Sequence, residues 1–193
     1  MRHWRNVQGE DSYRIDPEDI EGAIPSDLEG SFFRNGPGLT ELGGHRLHPF
    51  DGHGMLFRAS FQSGDVHVAN RFVRTKAYVE ETSANQILYR GFGTQKPGGI
   101  LANLGELRDK NVANTSVWEW AGRLWALWEG DRSTIVDPVT LDTIVSASEP
   151  RTLPIGISTG THHRSLPGPG LPRPLLLDRA RRAWVGLSLR DGR

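Results

Sequence analysis

The chain has 193 residues, with 23 Lys+Arg against 23 Asp+Glu and a formal net charge of zero. That length supports one domain with a real core, and the charge balance argues against bulk electrostatic binding to DNA or RNA. No Cys is present, which excludes disulfide scaffolds, thiol catalysis, Fe–S clusters and Cys-type zinc sites.

The opening MRHWRNVQGEDSYR has no apolar h-region and does not read as a signal peptide, and no run approaches the length of a transmembrane helix. Residues 16–30, polar with Pro17 and Pro25, read as a lead-in with at most one short helical turn. SFFRNGPG (31–38) reads as a short strand running into a turn at Gly36-Pro37-Gly38. Residues 54–75 form a predicted hairpin. Met55, Phe57, Ala59 and Phe61 alternate with Leu56, Arg58 and Ser60, Ser63-Gly64-Asp65 turns the chain, and Val66 and Val68 share a face of the return strand.

Residues 83–114 show little periodicity and read as a long loop, with a short helix expected at 84–90. A second hairpin follows at 115–130, with Val117 and Glu119 on one face and Trp118 and Trp120 on the other. Residues 133–138 make a third strand, and 139–145 fits either strand or turn. Short strands at this spacing predict an all-β fold. The strands at 117–121, 124–128 and 133–137 resemble most of one propeller blade.

The composition breaks near 151–165. Residues 151–193 carry eight Arg, no Lys and only Asp178 and Asp191 as acids, a net +6, whereas 1–150 is −6. The break marks either a linker with a basic tail or a stretch that does not belong to the fold.

Seven His are candidates for chemistry. His45, His48 and His53, with Asp51 between the last two, form a cluster that could bind a metal, but no helix sets them on one face. The simpler reading makes them surface or hydrogen-bonding residues of a Gly/Pro-bounded loop. His67 sits in a strand with polar neighbours and reads as solvent-facing. His162 and His163 are adjacent, so a strand could direct only one of them into a site. The GPG at 36–38 and GFG at 91–93 lack the helix and Lys-Ser/Thr of a phosphate loop. Trp118, Trp120, Trp125 and Trp128 read as blade core, and Glu129 as an exposed strand end.

SFFRNGPG, HPFDGHGM, ANRFVRT and ANTSVWEWAGRLWALWEG with VDPVTLDT stand in that order. Together they resemble the amino-terminal part of the carotenoid cleavage oxygenase family, which includes apocarotenoid and stilbene oxygenases and the retinal pigment epithelium isomerase. The resemblance covers about residues 16–150. It implies an incomplete, amino-terminal part of a seven-bladed β-propeller, with 1–30 as lead-in, 31–157 as partial propeller and 158–193 as a degraded or frame-shifted tail.

The resemblance also implies Fe(II) held by four His, O2 as co-substrate, and cleavage of a carotenoid or apocarotenoid double bond into two carbonyl products. Glu129 matches a family carboxylate that hydrogen-bonds to an iron-binding His. His162 lies near the position of the first iron ligand, in Ser158-Thr159-Gly160-Thr161-His162-His163, which lacks the family's Ala-His-Pro. Arg34, Asn35, Gly36, Asp51, Gly52, Gly54 and Met55 match motif positions and take structural roles in turns and blade closure. No residue is assigned as directly catalytic.

The remaining ligands would lie beyond Arg193, which implies a truncated chain that is inactive alone. Back-translating 160–166 one nucleotide out of frame permits Ala-His-Thr-Thr-Asp-Pro, consistent with a frame-shifted tail. The alternative is a non-catalytic β-fragment, or a module that binds an apolar ligand or a protein. No nucleic-acid partner and no membrane span are expected. The default location is cytoplasmic, with peripheral membrane contact to reach a lipid substrate.

Overall fold

The computed structural model describes residues 5–103, 110–120, 122–130 and 132–145. The described residues form two four-stranded antiparallel sheets. The first has the order β1-β6-β5-β2, built from β1 (Ser12–Arg14), β2 (Gly30–Leu39), β5 (His53–Gln62) and β6 (Asp65–Phe72). The second has the order β10-β9-β8-β7, from β7 (Ser116–Trp120), β8 (Arg123–Leu127), β9 (Thr134–Val136) and β10 (Thr143–Val145). A small ribbon pairs β3 (Glu41–Leu42) with β4 (His45–Arg46). Each four-stranded sheet is one propeller blade, and β2 and β7 lie side by side.

The β5–β6 hairpin follows the sequence expectation. Gln62 pairs with Asp65, leaving Ser63 and Gly64 as a two-residue loop with φ of 51° and 84°. Positive φ at both positions is the turn whose twist suits a hairpin. The alternation in β5 also holds, but both faces are covered. Leu56 enters a cluster with Val73, Ala113, Leu124, Ala126, Val136 and Leu141, which joins the two blades. Ala59 packs with Ile15, Val66 and Val68, beneath Ile20 and Ile24 of the lead-in. Each Leu, Ile or Val side chain among them contributes about 1.5–3 kcal/mol when fully buried. The lead-in therefore covers the far face of the first blade, and β1 pairs with β6 at its outer edge. Residues 17–19 form the single short helical turn expected there.

Gly36-Pro37-Gly38 is not a turn. Strand β2 runs through it to Leu39, paired with β5, with a register shift between Pro37 and Leu39. Because β2 is an edge strand, the missing N–H of Pro37 breaks no inner ladder. The chain reverses instead at Gly43-Gly44, with φ of 57° and 77°.

The helix expected at 84–90 lies upstream. Helix α1 is Lys76–Ala84, capped by the Thr75 hydroxyl, which accepts from the Tyr78 N–H, and ended by Asn85 in the left-handed region. Asn tolerates that conformation better than other residues with a Cβ. Beyond it the chain is irregular up to the short helix α2 (Gly99–Asn103). In the second blade the expected three strands become four. Residues 138–140 turn and Thr143–Val145 adds the outer strand, so 139–145 holds both a turn and a strand. The expected tail at 158–193 lies outside the described residues.

Candidate functional site

The two blades are joined by polar contacts as well as by apolar packing. The side-chain amide of Asn35, on β2, donates to the carbonyls of Ala113 (2.8 Å) and Ser116 (2.9 Å) at the start of the second blade. Asn114 donates to the carbonyls of Phe50 (2.9 Å) and Gly52 (2.7 Å). Arg58, buried in β5, donates to the carbonyls of Pro138 and Val139 in the turn between β9 and β10. Burial lowers the Arg58 pKa, against the opposing pull of Asp137. These bonds fix the two blades relative to one another.

The candidate residues fall in different settings. Glu129 lies in the turn after β8 and is exposed, next to half-buried Trp128. His162 and His163 lie outside the described residues. His45, His48 and His53 are not brought together as ligands. His45 is exposed on β4, His48 accepts the Phe50 N–H at the start of a helical turn (3.2 Å), and His53 is fully buried. Among the described residues, no group of three or more His, Asp or Glu is placed to hold a metal.

Asp51 is a structural carboxylate. It is buried and accepts the backbone N–H groups of Phe92 (2.6 Å), Gly93 (2.8 Å) and Thr94 (2.8 Å). The GFG segment therefore cradles an internal carboxylate in place of a phosphate. Gly91 must lack a side chain, since a Cβ there would lie 2.3 Å from the Asp51 carboxyl carbon. The four tryptophans divide. Trp125 is buried with Leu127 and Ile135, and Trp118 packs against them, while Trp120 is exposed and Trp128 half-buried.

The sequence reading missed a buried trio. His53 Nε2 lies 2.8 Å from Glu81 Oε2, and Lys110 Nζ lies 3.0 Å from the same oxygen. Burial opposes ionisation of Glu81. The hydrogen bond from His53 and the charge of Lys110 outweigh it and hold the Glu81 pKa at about 2. Burial, reinforced by Lys110, pushes the His53 pKa down despite the Glu81 hydrogen bond. No local spacing announces the trio. The only hint is an acid in α1 with no basic residue one turn away.

A sequence profile described as retinal pigment epithelial membrane protein, RPE65, matches residues 4–163. Apocarotenoid-15,15'-oxygenase of Synechocystis sp. is 51% identical over 130 residues, covering 66% of this chain and 26% of that protein. Carotenoid cleavage dioxygenase 7, chloroplastic, of Oryza sativa subsp. japonica is 42% identical over 132 residues, covering 64% of this chain and 21% of that protein. The chain thus spans about a quarter of the length of these relatives.

Among solved structures, a Glu→Asp variant of Synechocystis apocarotenoid oxygenase superposes with a TM-score of 0.70 at 46% identity, covering 72% of this chain and 29% of that one. A cobalt-substituted form of the same protein gives 0.70 at 47% identity, covering 73% and 30%. Solved variants of that protein alter a threonine, a tryptophan thirteen residues on, and the glutamate after it, the spacing of Thr115, Trp128 and Glu129 here. A profile match across most of the chain, with both blades superposing on a carotenoid-oxygenase propeller, places this chain in the RPE65/carotenoid oxygenase family.

Proposed function

We propose that this chain supplies two blades of a non-haem Fe(II) dioxygenase that splits a carotenoid or apocarotenoid double bond with O2, giving two carbonyl products. The observation that carries this reading is the extensive identity, across both blades, with an apocarotenoid oxygenase.

Within that reading Glu129 is the carboxylate that accepts the ring N–H of an iron-binding His, and His162 is that His. The shared spacing of Thr115, Trp128 and Glu129 supports the first assignment. The distance of about thirty residues from Glu129 to His162 supports the second. The described residues do not by themselves fit an iron site, since no metal-binding group is found among them. No step of the reaction is therefore assigned to them. Their part is to set the two inner strands, through Asn35 and the shared apolar core. One candidate ligand does not supply four imidazoles, so the 193 residues alone are inactive in this proposal. In this proposal 1–30 is a lead-in that also lends β1 (Ser12–Arg14) to the outer edge of the first blade, 31–157 is the rest of the partial propeller, and 158–193 is the tail.

The reading places the protein in the cytoplasm, touching membrane to collect substrate. No helix among the described residues is long and apolar enough to cross a membrane. Phe50, Phe92 and Ile100 are 67%, 86% and 82% exposed, and such side chains suit contact with a lipid surface.

A chimera tests the function. Residues 5–145 replace the matching segment of Synechocystis apocarotenoid oxygenase, and the product is assayed for iron and for O2-dependent bleaching of an apocarotenal. Cleavage into two carbonyl products is expected. A folded, iron-loaded chimera that leaves the polyene intact would overturn the reading and favour a non-catalytic binding module.

A further inference from the structure

His53, Glu81 and Lys110 come from three separate segments: the first residue of β5, the second half of α1, and the stretch entering the second blade. The His53 and Glu81 side chains are 0% exposed and that of Lys110 is 2%. The two oxygens of Glu81 have separate duties. Oε2 meets His53 and Lys110, and Oε1 accepts the backbone N–H groups of Leu88 (2.8 Å) and Tyr89 (3.0 Å). One carboxylate therefore ties the loop after α1 to the first blade.

The hydrogen bonding fixes the state of His53. An ionised carboxylate can only accept, so the ring proton sits on Nε2 and Nδ1 is a bare lone pair. Nδ1 is buried and has no partner among the described residues. The titratable groups facing the ring are Glu81 and Tyr78 from α1, the tyrosine ring edge-on at 5.4 Å, and Lys110 from the stretch before β7. A second proton would have to bind at Nδ1. It would create a buried cation with no acceptor at that atom and with the Lys110 ammonium already bound to the shared carboxylate. Burying a charge without such support is unfavourable.

We propose that His53, Glu81 and Lys110 form an acid-released latch that clamps α1 and the loop 85–94 onto the first blade. Opening removes the acceptor of the Leu88 and Tyr89 N–H groups. It frees the loop whose far end wraps Asp51 and presents Phe92 to solvent. The closed state holds His53 below its ordinary pKa of 6.5, so it binds fewer protons than the open state. Closure is therefore complete above pH 6.5 and weakens as pH falls below it, by up to about tenfold per pH unit.

Amide hydrogen exchange on the full 193-residue chain, corrected for the intrinsic rate, tests the latch. Protection at Leu88 and Tyr89 should fall by up to about tenfold between pH 6.5 and 5.5, while amides paired between β5 and β6 keep theirs. His53→Gln can still offer an N–H to Glu81 but cannot titrate, and its protection should stay flat over that window. Flat protection in the wild type, or an equal loss in His53→Gln, overturns the proposal. Should that variant fail to fold, the ring nitrogens of His53 in the wild type decide by NMR. A midpoint below 6.5 that coincides with the loss at Leu88 and Tyr89 supports the latch, and a midpoint at or above 6.5 overturns it.

Discussion

Gly54 and Ala113 approach so closely that a Cβ on Gly54 would lie 2.0 Å from the Ala113 carbonyl oxygen. The Gly54 N–H donates to the carbonyl of Val112 at 2.8 Å, so the first blade meets the entry to the second through bare backbone. Gly54→Ala should therefore destabilise the protein by about 1–3 kcal/mol, the range for overpacking. Gly36 has open space around its Cα and no positive φ. Gly36→Ala should stay within about 0.5 kcal/mol of wild type. Urea denaturation of both variants checks this, and equal costs would refute the close-approach argument.

Lys110→Met should be among the most damaging substitutions. It leaves the Glu81 carboxylate buried without its ammonium partner, and removing one member of a buried pair costs about 3–5 kcal/mol. The double variant Lys110→Met/Glu81→Gln should recover part of that loss, since no unpaired charge remains. Denaturation of the two single variants and the double variant measures the coupling.

Acid should act on Glu81 in a window below that of His53. Its folded pKa of about 2 lies under the ordinary 4.5, so its ionised form adds stability that is complete above pH 4.5. That contribution falls away as pH drops from 4.5 through about 2. The stability of wild type should decline more steeply than that of Glu81→Gln across that range. Parallel curves from thermal melts at stepped pH would contradict it.

Removing the exposed rings should weaken membrane contact. Phe50 and Phe92 lie with ring centres 6.2 Å apart, and His48 packs against both. Phe50→Ser/Phe92→Ser should reduce flotation with lipid vesicles while leaving the melting temperature near that of wild type. Undiminished flotation would show that lipid binds elsewhere or not at all.

Glu129→Gln, placed in the chimera, should lower iron content or cleavage by roughly 10–100-fold, the usual cost of losing a carboxylate that orients a metal-bound His. The exposed position of Glu129 in the turn after β8 predicts little change in folding. Iron analysis and bleaching rates on matched, folded samples decide the point.

Local chemistry determined much of the fold from sequence alone. Alternation from Met55 to Phe61, the Ser63-Gly64 loop and the strands around Trp118 and Trp125 are encoded within a few residues, because side-chain period and turn conformation are short-range properties. The family motifs carried the resemblance for the same reason. Tertiary structure decided the rest. Gly36-Pro37-Gly38 stays extended because β5 offers it a partner and the edge position excuses the proline. Helix α1 forms where Thr75 and Asn85 can cap it and where its Glu81 finds His53 and Lys110 from distant segments. Such contacts depend on which segments the blades bring together. A lone Glu, His and Lys carry no sign of one another in sequence, and only the closed blades supply the burial that makes them a unit.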